Sequence, residues 1–212
     1  MKLVSINRAQ KQSIEFSGQR VETGLFKAPV SETVFLGTLG IEGDVIVDTS
    51  VHGGVDQAVY LYSLEDYQWW TEKLARELPP GMFGENLTTA GIDLRTLVIG
   101  DRLMIGNVIL EISAPRTPCF KLAVRMGDKH FAKQFVSASR PGAYARVLRE
   151  GDICAGDPVM LVKTTADYAG VVEVFDLWHE KQRCPQLIYK ALESPISAYH
   201  RSVIQGWSVV GE

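Results

Sequence analysis

Cysteine is scarce in this 212-residue chain: only Cys119, Cys154 and Cys184 occur, an odd and widely spaced set. That excludes a disulfide framework and the C-x-x-C pairs of structural zinc sites, so each thiol has to be judged alone. An excess of positive charge is lacking too. Lys plus Arg number 22 against 25 for Asp plus Glu, net −3. No global attraction to nucleic-acid backbones or anionic membranes follows from such a balance, and any anion site must be local. No window approaches the run of about 20 apolar residues that a membrane span needs. The opening "MKLVSINRAQKQSIEF" is broken by Asn7, Arg8 and Lys11 and has no signal-peptide core. A cytoplasmic protein without nucleic-acid or membrane partners is expected. Walker A, G-x-G-x-x-G, H-E-x-x-H and G-x-S-x-G motifs are all missing, which removes support for common nucleotide, zinc-protease and serine-hydrolase readings.

What is present is enough apolar residue, 46%, for a packed core and one large domain with an appendage. Up to about residue 163 the pattern is strand-like, with short runs such as "KLVSI", "QAVYLY", "DRLMIG", "VILEI" and "DPVMLV" separated by glycine-rich breaks. Gly-Asp recurs at 43–44, 100–101, 151–152 and 156–157, and reads as turns between strands. Ser63 and Asp66 resemble a capping box, after which Tyr67, Trp70, Leu74 and Leu78 repeat at helical spacing until "PPG" at 79–81. A second helix is expected from about Asp128, presenting Phe131 and Phe135. From residue 166 three short helices are implied by Val171, Val174, Phe175 and Trp178, then Leu187, Ile188, Ala191 and Leu192, then Ile196, Tyr199, Val203 and Ile204. Each is too short to be stable alone in water and must pack on its neighbours. The expected class is mainly β with α: a β domain over 1–165 and a three-helix segment over 166–212.

The stretch with the most chemistry is "PRTPCFKLAVRMGDK", residues 115–129. Thr117 suits an N-cap and Pro118 the first helical position, which would place Cys119 in a first turn where unpaired amides lower a thiol pKa. Arg116, Lys121 and Arg125 lie near it in sequence, and cationic neighbours favour a thiolate further. Equally, a lone cysteine often acts as a small buried apolar side chain, and the two readings weigh about level. Cys154 and Cys184 have no comparable surroundings and read as structural. In "SVHGGVDQAVYLY", adjacent glycines next to His52 and Asp56 allow close approach of backbone to a ligand, with the imidazole as hydrogen bonder and the carboxylate as its orienter. A Gly-Gly turn carrying a surface histidine accounts for it as well. Glu85 and Asn86 in "GMFGENLTTAGIDL" read by default as a polar turn entering a strand.

Taken in order, "GIEGDVIVDTSVHGGVDQAVYLYSLEDYQWW", "GMFGENLTTAGIDL" and "IGDRLMIGNVILEISAPRTPCFKL" resemble a MOSC domain, the module also found at the C-terminus of molybdenum cofactor sulfurases. The helical tail resembles its YiiM-like branch, and the likeness runs over nearly the whole chain. The resemblance implies a β-barrel with flanking helices. It also implies a cysteine, here Cys119, that ligates the molybdenum of a pterin cofactor or carries sulfur destined for it. His52, Gly53 and Gly54 match the family's "HGG", and Glu85 with Asn86 its "EN". Cys119 and His52 are then the catalytic candidates, and Gly53, Gly54, Asp56, Glu85, Asn86, Arg116, Lys121 and Arg125 the cofactor-binding ones. Arg146 is a weaker candidate of the same kind. Thiolate is a soft ligand suited to such a metal, and the cations could neutralise the phosphate and dithiolene of a molybdopterin.

The activity implied is reduction of N-hydroxylated compounds such as nucleobases, with electrons from a separate reductase. The alternatives are a non-catalytic carrier of cofactor or persulfide, and a scaffold in which Cys119 is a core thiol. Homodimerisation through the helical tail is left open. The segment "KQSIEFSGQRVETGLFKAPV" departs from the short basic version associated with close relatives, which points to a changed substrate mouth.

Overall fold

The computed structural model describes residues 1–47 and 53–208. In chain order the strands and helices begin with β1 (Lys2–Arg8), the hairpin β2 (Gln12–Phe16) and β3 (Gln19–Thr23), β4 (Ala28–Val30), β5 (Val34–Gly37) and β6 (Gly40–Ile41). Next come β7 (Val59–Ser63), α1 (Leu64–Leu74), β8 (Leu87–Ala90), β9 (Arg102–Ile105) and β10 (Val108–Pro115). Then follow α2 (Phe120–Met126), α3 (Phe131–Ala138), β11 (Ala143–Arg149), β12 (Gly151–Ile153) and β13 (Val159–Val162). The chain closes with α4 (Val171–His179), α5 (Pro185–Glu193) and α6 (Ala198–Ser208).

Eight strands form one sheet in the order β13-β9-β10-β11-β7-β8-β1-β4. Every pairing in it is antiparallel except β7 with β8. That exception has a cause: a parallel pair needs a crossover, and α1 supplies it. The class is mainly β with α, as expected, but the sheet curls without closing into a continuous ladder. Its ends meet at one bridge, Lys2 with Pro158, helped by Leu3 N to Asp157 O at 2.9 Å and Gly156 N to Leu3 O at 2.8 Å. Closure stops there because the outer edge of β1 is shared. Its C-terminal half, Ile6 to Arg8, pairs with β4, leaving only the first residues for the segment before β13.

Strand β7 is buried on both faces, and the two-residue side-chain period sorts its residues. Val59 and Leu61 enter an aliphatic core with Leu3, Leu87, Leu110 and Ile112. Tyr60 and Tyr62 face an aromatic core with Tyr67, Trp70, Phe83 and Phe135. Across from β7, Gly142 has φ +64, and a Cβ there would lie 2.4 Å from Leu61 O, so only glycine allows β11 to start so close.

Ser63 caps α1 by accepting from Asp66 N at 3.0 Å, as its spacing predicts. The helix stops at Leu74, short of the expected "PPG", because Ala75 takes a left-handed conformation at φ 51. Leu78 is still buried, now on an irregular segment against the aromatic core. Helices α4, α5 and α6 match the three apolar groupings. Val171, Val174, Ala191, Ile196 and Ile204 from this segment join the aliphatic core of the sheet. Among the described residues no helix is long and apolar enough to cross a membrane.

Candidate functional site

Strand β10 delivers the chain to Pro115, and α2 begins at Phe120. Cys119 is therefore the N-cap of α2, with extended backbone (φ −121, ψ 170). The expected placement inside the first turn is corrected, since the helix starts two residues later than "TPC" suggests. The cysteine is half-buried and none of the three thiols is in a disulfide. Cys184, by contrast, is the N-cap of α5, ahead of Pro185.

Cys119 borders a cleft of about 640 Å³ whose polar wall includes Lys27, Gln57, Asn86, Arg116 and Lys121. Its described lining contains three cations and no carboxylate. Arg116 is 4% exposed. Its guanidinium donates to Phe83 O and lies 4.9 Å from the centre of the Tyr60 ring. Burial opposes its charge, but its interactions with Tyr60, Tyr144 and Cys119 outweigh that and hold it above the usual arginine range. Burial pushes the Tyr144 hydroxyl up, so this phenol beside Cys119 keeps its proton at neutral pH.

Lys27, which no sequence motif flags, is a buried cation of the cleft wall. Burial lowers its pKa, and Asp44 acts against that. The Lys27–Asp44 ion pair is almost wholly out of water. Asp44 also accepts from Asn86 Nδ2 at 2.8 Å and from Ala9 N at 2.8 Å. Gly43-Asp44 is a turn, as read, yet its carboxylate also secures the cleft wall. A signal could have been found in the Asp following a glycine ahead of the apolar run "VIV".

Asn86 lines the cleft, and its Oδ1 accepts from Tyr60 N at 3.2 Å. Glu85 sits behind it, fully buried. One carboxyl oxygen accepts from Tyr67 Oη at 2.7 Å, Gly81 N at 2.6 Å and Thr88 Oγ1 at 2.8 Å; the other has no partner among the described residues. Burial pushes its pKa up. "EN" thus places one residue at the cleft and one beneath it.

Lys121 and Gly53 line the cleft, whereas Gly54, Asp56 and Arg125 do not. Arg125 donates to Leu25 O at 3.0 Å and Lys27 O at 2.8 Å, fastening the wall from outside. Asp56 pairs with Arg146 at 3.0 Å and accepts from Ala198 N, the start of α6, at 2.7 Å. Arg146 also reaches Glu111 and Pro195 O, so its charge is engaged away from the cleft. His52 lies outside the described residues.

Glycines shape the cleft: a Cβ on Gly53 would lie 2.9 Å from Ile46 Cδ1, and one on Gly84 2.3 Å from Leu25 Cδ1. Both residues have positive φ. A family model described as "MOSC domain" matches residues 48–160, just over half of the chain and the part that holds the cysteine and most of this wall.

The chain belongs to the MOSC domain family. The uncharacterised protein YflK of Bacillus subtilis (strain 168) is 38% identical over 154 residues, covering 73% of this chain and 70% of that protein. The crystal structure of YiiM from Geobacillus stearothermophilus matches with TM-score 0.80 and 27% identity over 97% of both chains. A protein of Gibberella moniliformis (strain M3125 / FGSC 7600) named "Reductase" is 34% identical over 154 residues, 69% of this chain but only 27% of that protein. The MOSC match ends before α4, while the YiiM likeness takes in the helical segment as well.

Proposed function

We propose that this MOSC protein is a molybdenum cofactor-dependent reductase of N-hydroxylated compounds, N-hydroxylated nucleobases among them, with Cys119 as the protein's ligand to the metal. The observation that carries the reading is the company Cys119 keeps: one sulfur at the edge of a cleft lined by Lys27, Arg116 and Lys121, with no carboxylate among the described lining residues. The group's chemistry suits these residues. Among the described residues no three His, Cys, Asp or Glu side chains cluster, so the donor set suits a metal that brings its own anionic ligands and takes one soft thiolate. Arg116 and Lys121 would neutralise the phosphate and dithiolene, and Arg125 would act through the wall it fastens. Gly53 and Gly84 let Ile46 and Leu25 of that wall pack where a Cβ would collide with them.

When bound, the cofactor would supply a two-electron redox metal beside Cys119. Around it, Arg116 stabilises negative charge on Cys119 Sγ, and the Tyr144 hydroxyl stays protonated within the same lining. Asn86, held by Tyr60 N and Asp44, is a fixed amide in the same lining. The overall reaction is R–NHOH + 2 e⁻ + 2 H⁺ → R–NH₂ + H₂O. The electrons come from a separate reductase, a partner this proposal requires. The relative named "Reductase" and the likeness to YiiM support the reading.

The test is elemental and pterin analysis of protein purified from cells that make the cofactor, set beside Cys119→Ala, with an assay on a panel of N-hydroxylated substrates using an artificial donor. We expect near-stoichiometric molybdenum, turnover, and loss of both in the variant. Metal-replete protein without turnover would overturn the reductase reading, and persulfide on Cys119 without molybdenum would point to a sulfur carrier instead.

A further inference from the structure

Cys119 borders a second crevice, whose described lining includes neither Lys27 nor Asn86. Its walls are Gln57, Thr117, Pro118, Cys119, Tyr144 and, from α6, Tyr199 with His200. Among the described residues Gln57, Cys119 and Tyr144 are shared with the cationic cleft, so the sulfur stands where the two meet. The described lining of the second crevice holds no Lys, Arg, Asp or Glu. That difference in chemistry separates a place for an anionic cofactor from one for a neutral molecule.

Two buried polar atoms at this crevice have no partner among the described residues: Gln57 Oε1 and His200 Nε2. Gln57 is 7% exposed and His200 2%. Leaving such groups unpaired is costly, and they are usually satisfied by a ligand or an ordered water. His200 is held firmly. Its Nδ1 meets Ser197 Oγ at 2.8 Å, and its ring packs 4.9 Å from Trp178 and 5.6 Å from Tyr199, centre to centre. Ser197 Oγ also accepts from His200 N at 3.3 Å. With its own hydrogen given to Nδ1, the ring carries its hydrogen on Nε2 as a donor, the tautomer the subsite requires. On the facing wall, Asp56 joins the turn carrying Gln57 to Ala198, two residues before His200. The same contact thereby sets Gln57 and His200 relative to one another.

We infer that this crevice is the substrate subsite, taking a flat, neutral group that offers an acceptor to His200 Nε2 and a donor to Gln57 Oε1, with Tyr144 and Tyr199 along its faces. Amides, amidoximes and amidine-type ring edges have that pattern. The inference rests on the proposed reductase reading for the reaction, but the recognition it describes does not need the cofactor. It also gives the C-terminal helices a part in the site, through a residue 81 positions from Cys119.

The experiment uses the full chain in two forms. With cofactor-free protein, benzamide is titrated by NMR; with loaded protein, reduction of benzamidoxime and of hydroxylamine is measured. His200→Ala is expected to raise both the benzamide Kd and the benzamidoxime KM about tenfold, the worth of one good hydrogen bond. His200→Gln, which keeps an N–H donor, should recover most of that. Tyr199→Ala, at a position 41% exposed, should weaken benzamide without threatening the fold, and so serves if His200→Ala does not fold. Hydroxylamine, with no flat framework for Tyr144 and Tyr199 to cover, should lose less than benzamidoxime in each variant, and pterin content should not change. Absence of benzamide binding to the unaltered protein, equal Kd across the variants, or pterin loss in His200→Ala would overturn the subsite. If benzamide binding depends on His200 but loaded protein reduces nothing, the reductase reading fails and the subsite stands.

Discussion

Lys27 and Asp44 form an ion pair in which the side chains are only 7% and 5% exposed, and Lys27 belongs to the lining of the cationic cleft. Removing one member of such a pair strands the other charge in a medium that solvates it poorly. Asp44→Ala should therefore cost about 3–5 kcal/mol of stability, while Lys27→Met with Asp44→Leu should cost much less. Urea unfolding of the two variants side by side checks this. The double variant should also bind the proposed cofactor more weakly, because the cleft wall then carries one cation fewer.

Glu85 makes an opposite prediction about pH. Burial raises its folded-state pKa from an ordinary 4.5, so the folded protein holds this proton more tightly than the unfolded chain. The stability it contributes is complete below about 4.5 and is lost as pH rises through the raised value. Glu85→Gln keeps a neutral oxygen for Tyr67, Gly81 and Thr88. Its stability should therefore fall less than that of the unaltered protein between pH 5 and 8, measured as the urea midpoint at each pH. Equal slopes would show that Glu85 is ionised in the folded state at both.

His200 acts on the acid side. Burial lowers its pKa to about 4 from an ordinary 6.5, so the unfolded chain binds the proton first. Its contribution is present above about 6.5 and disappears as pH falls through 4, a loss of up to about 3 kcal/mol. His200→Gln, having no group that titrates there, should flatten the stability profile between pH 6.5 and 4. Comparison with Glu85→Gln separates the two groups, since their slopes in this range have opposite signs.

How much of this is legible in the sequence depends on how far apart the partners lie. The cap of α1 is readable because Ser63 and Asp66 are three residues apart, and the three C-terminal helices because each carries its own apolar spacing. The cationic character around Cys119 shows in "PRTPCFKL" for Arg116 and Lys121, which both line the cleft. The pairing of Lys27 with Asp44 escapes notice because Lys27 is an ordinary charged residue and Asp44 a turn residue until the fold removes both from water. His200 escapes for the same reason: "SAYHRSV" is a helical surface pattern, and only packing against Trp178 brings its ring to the cysteine's side. Arg125 shows the reverse error of proximity. It lies six residues from Cys119, yet α2 turns it outward onto the carbonyls of Leu25 and Lys27.

The departing segment "KQSIEFSGQRVETGLFKAPV" contains the β2–β3 hairpin, and the hairpin's tip reaches the cysteine's neighbourhood. Phe16 lies with its ring 4.3 Å from that of Phe120, tilted by 31°, and Phe120 follows Cys119 directly. At the other end of the hairpin Thr23 lines the cationic cleft. The two rings are 40% and 37% exposed, so the contact contributes only about 0.5–1.5 kcal/mol beyond its area. It is strong enough to hold a two-stranded arm in place and weak enough to open. Phe16→Ala should then leave global stability within about 1 kcal/mol while raising the rate at which iodoacetamide alkylates Cys119. Peptide mass spectrometry resolves that rate from those of Cys154 and Cys184, which should not change. An unaltered Cys119 rate would show that the hairpin rests beside the site without covering it. The departure in sequence would then have no bearing on entry.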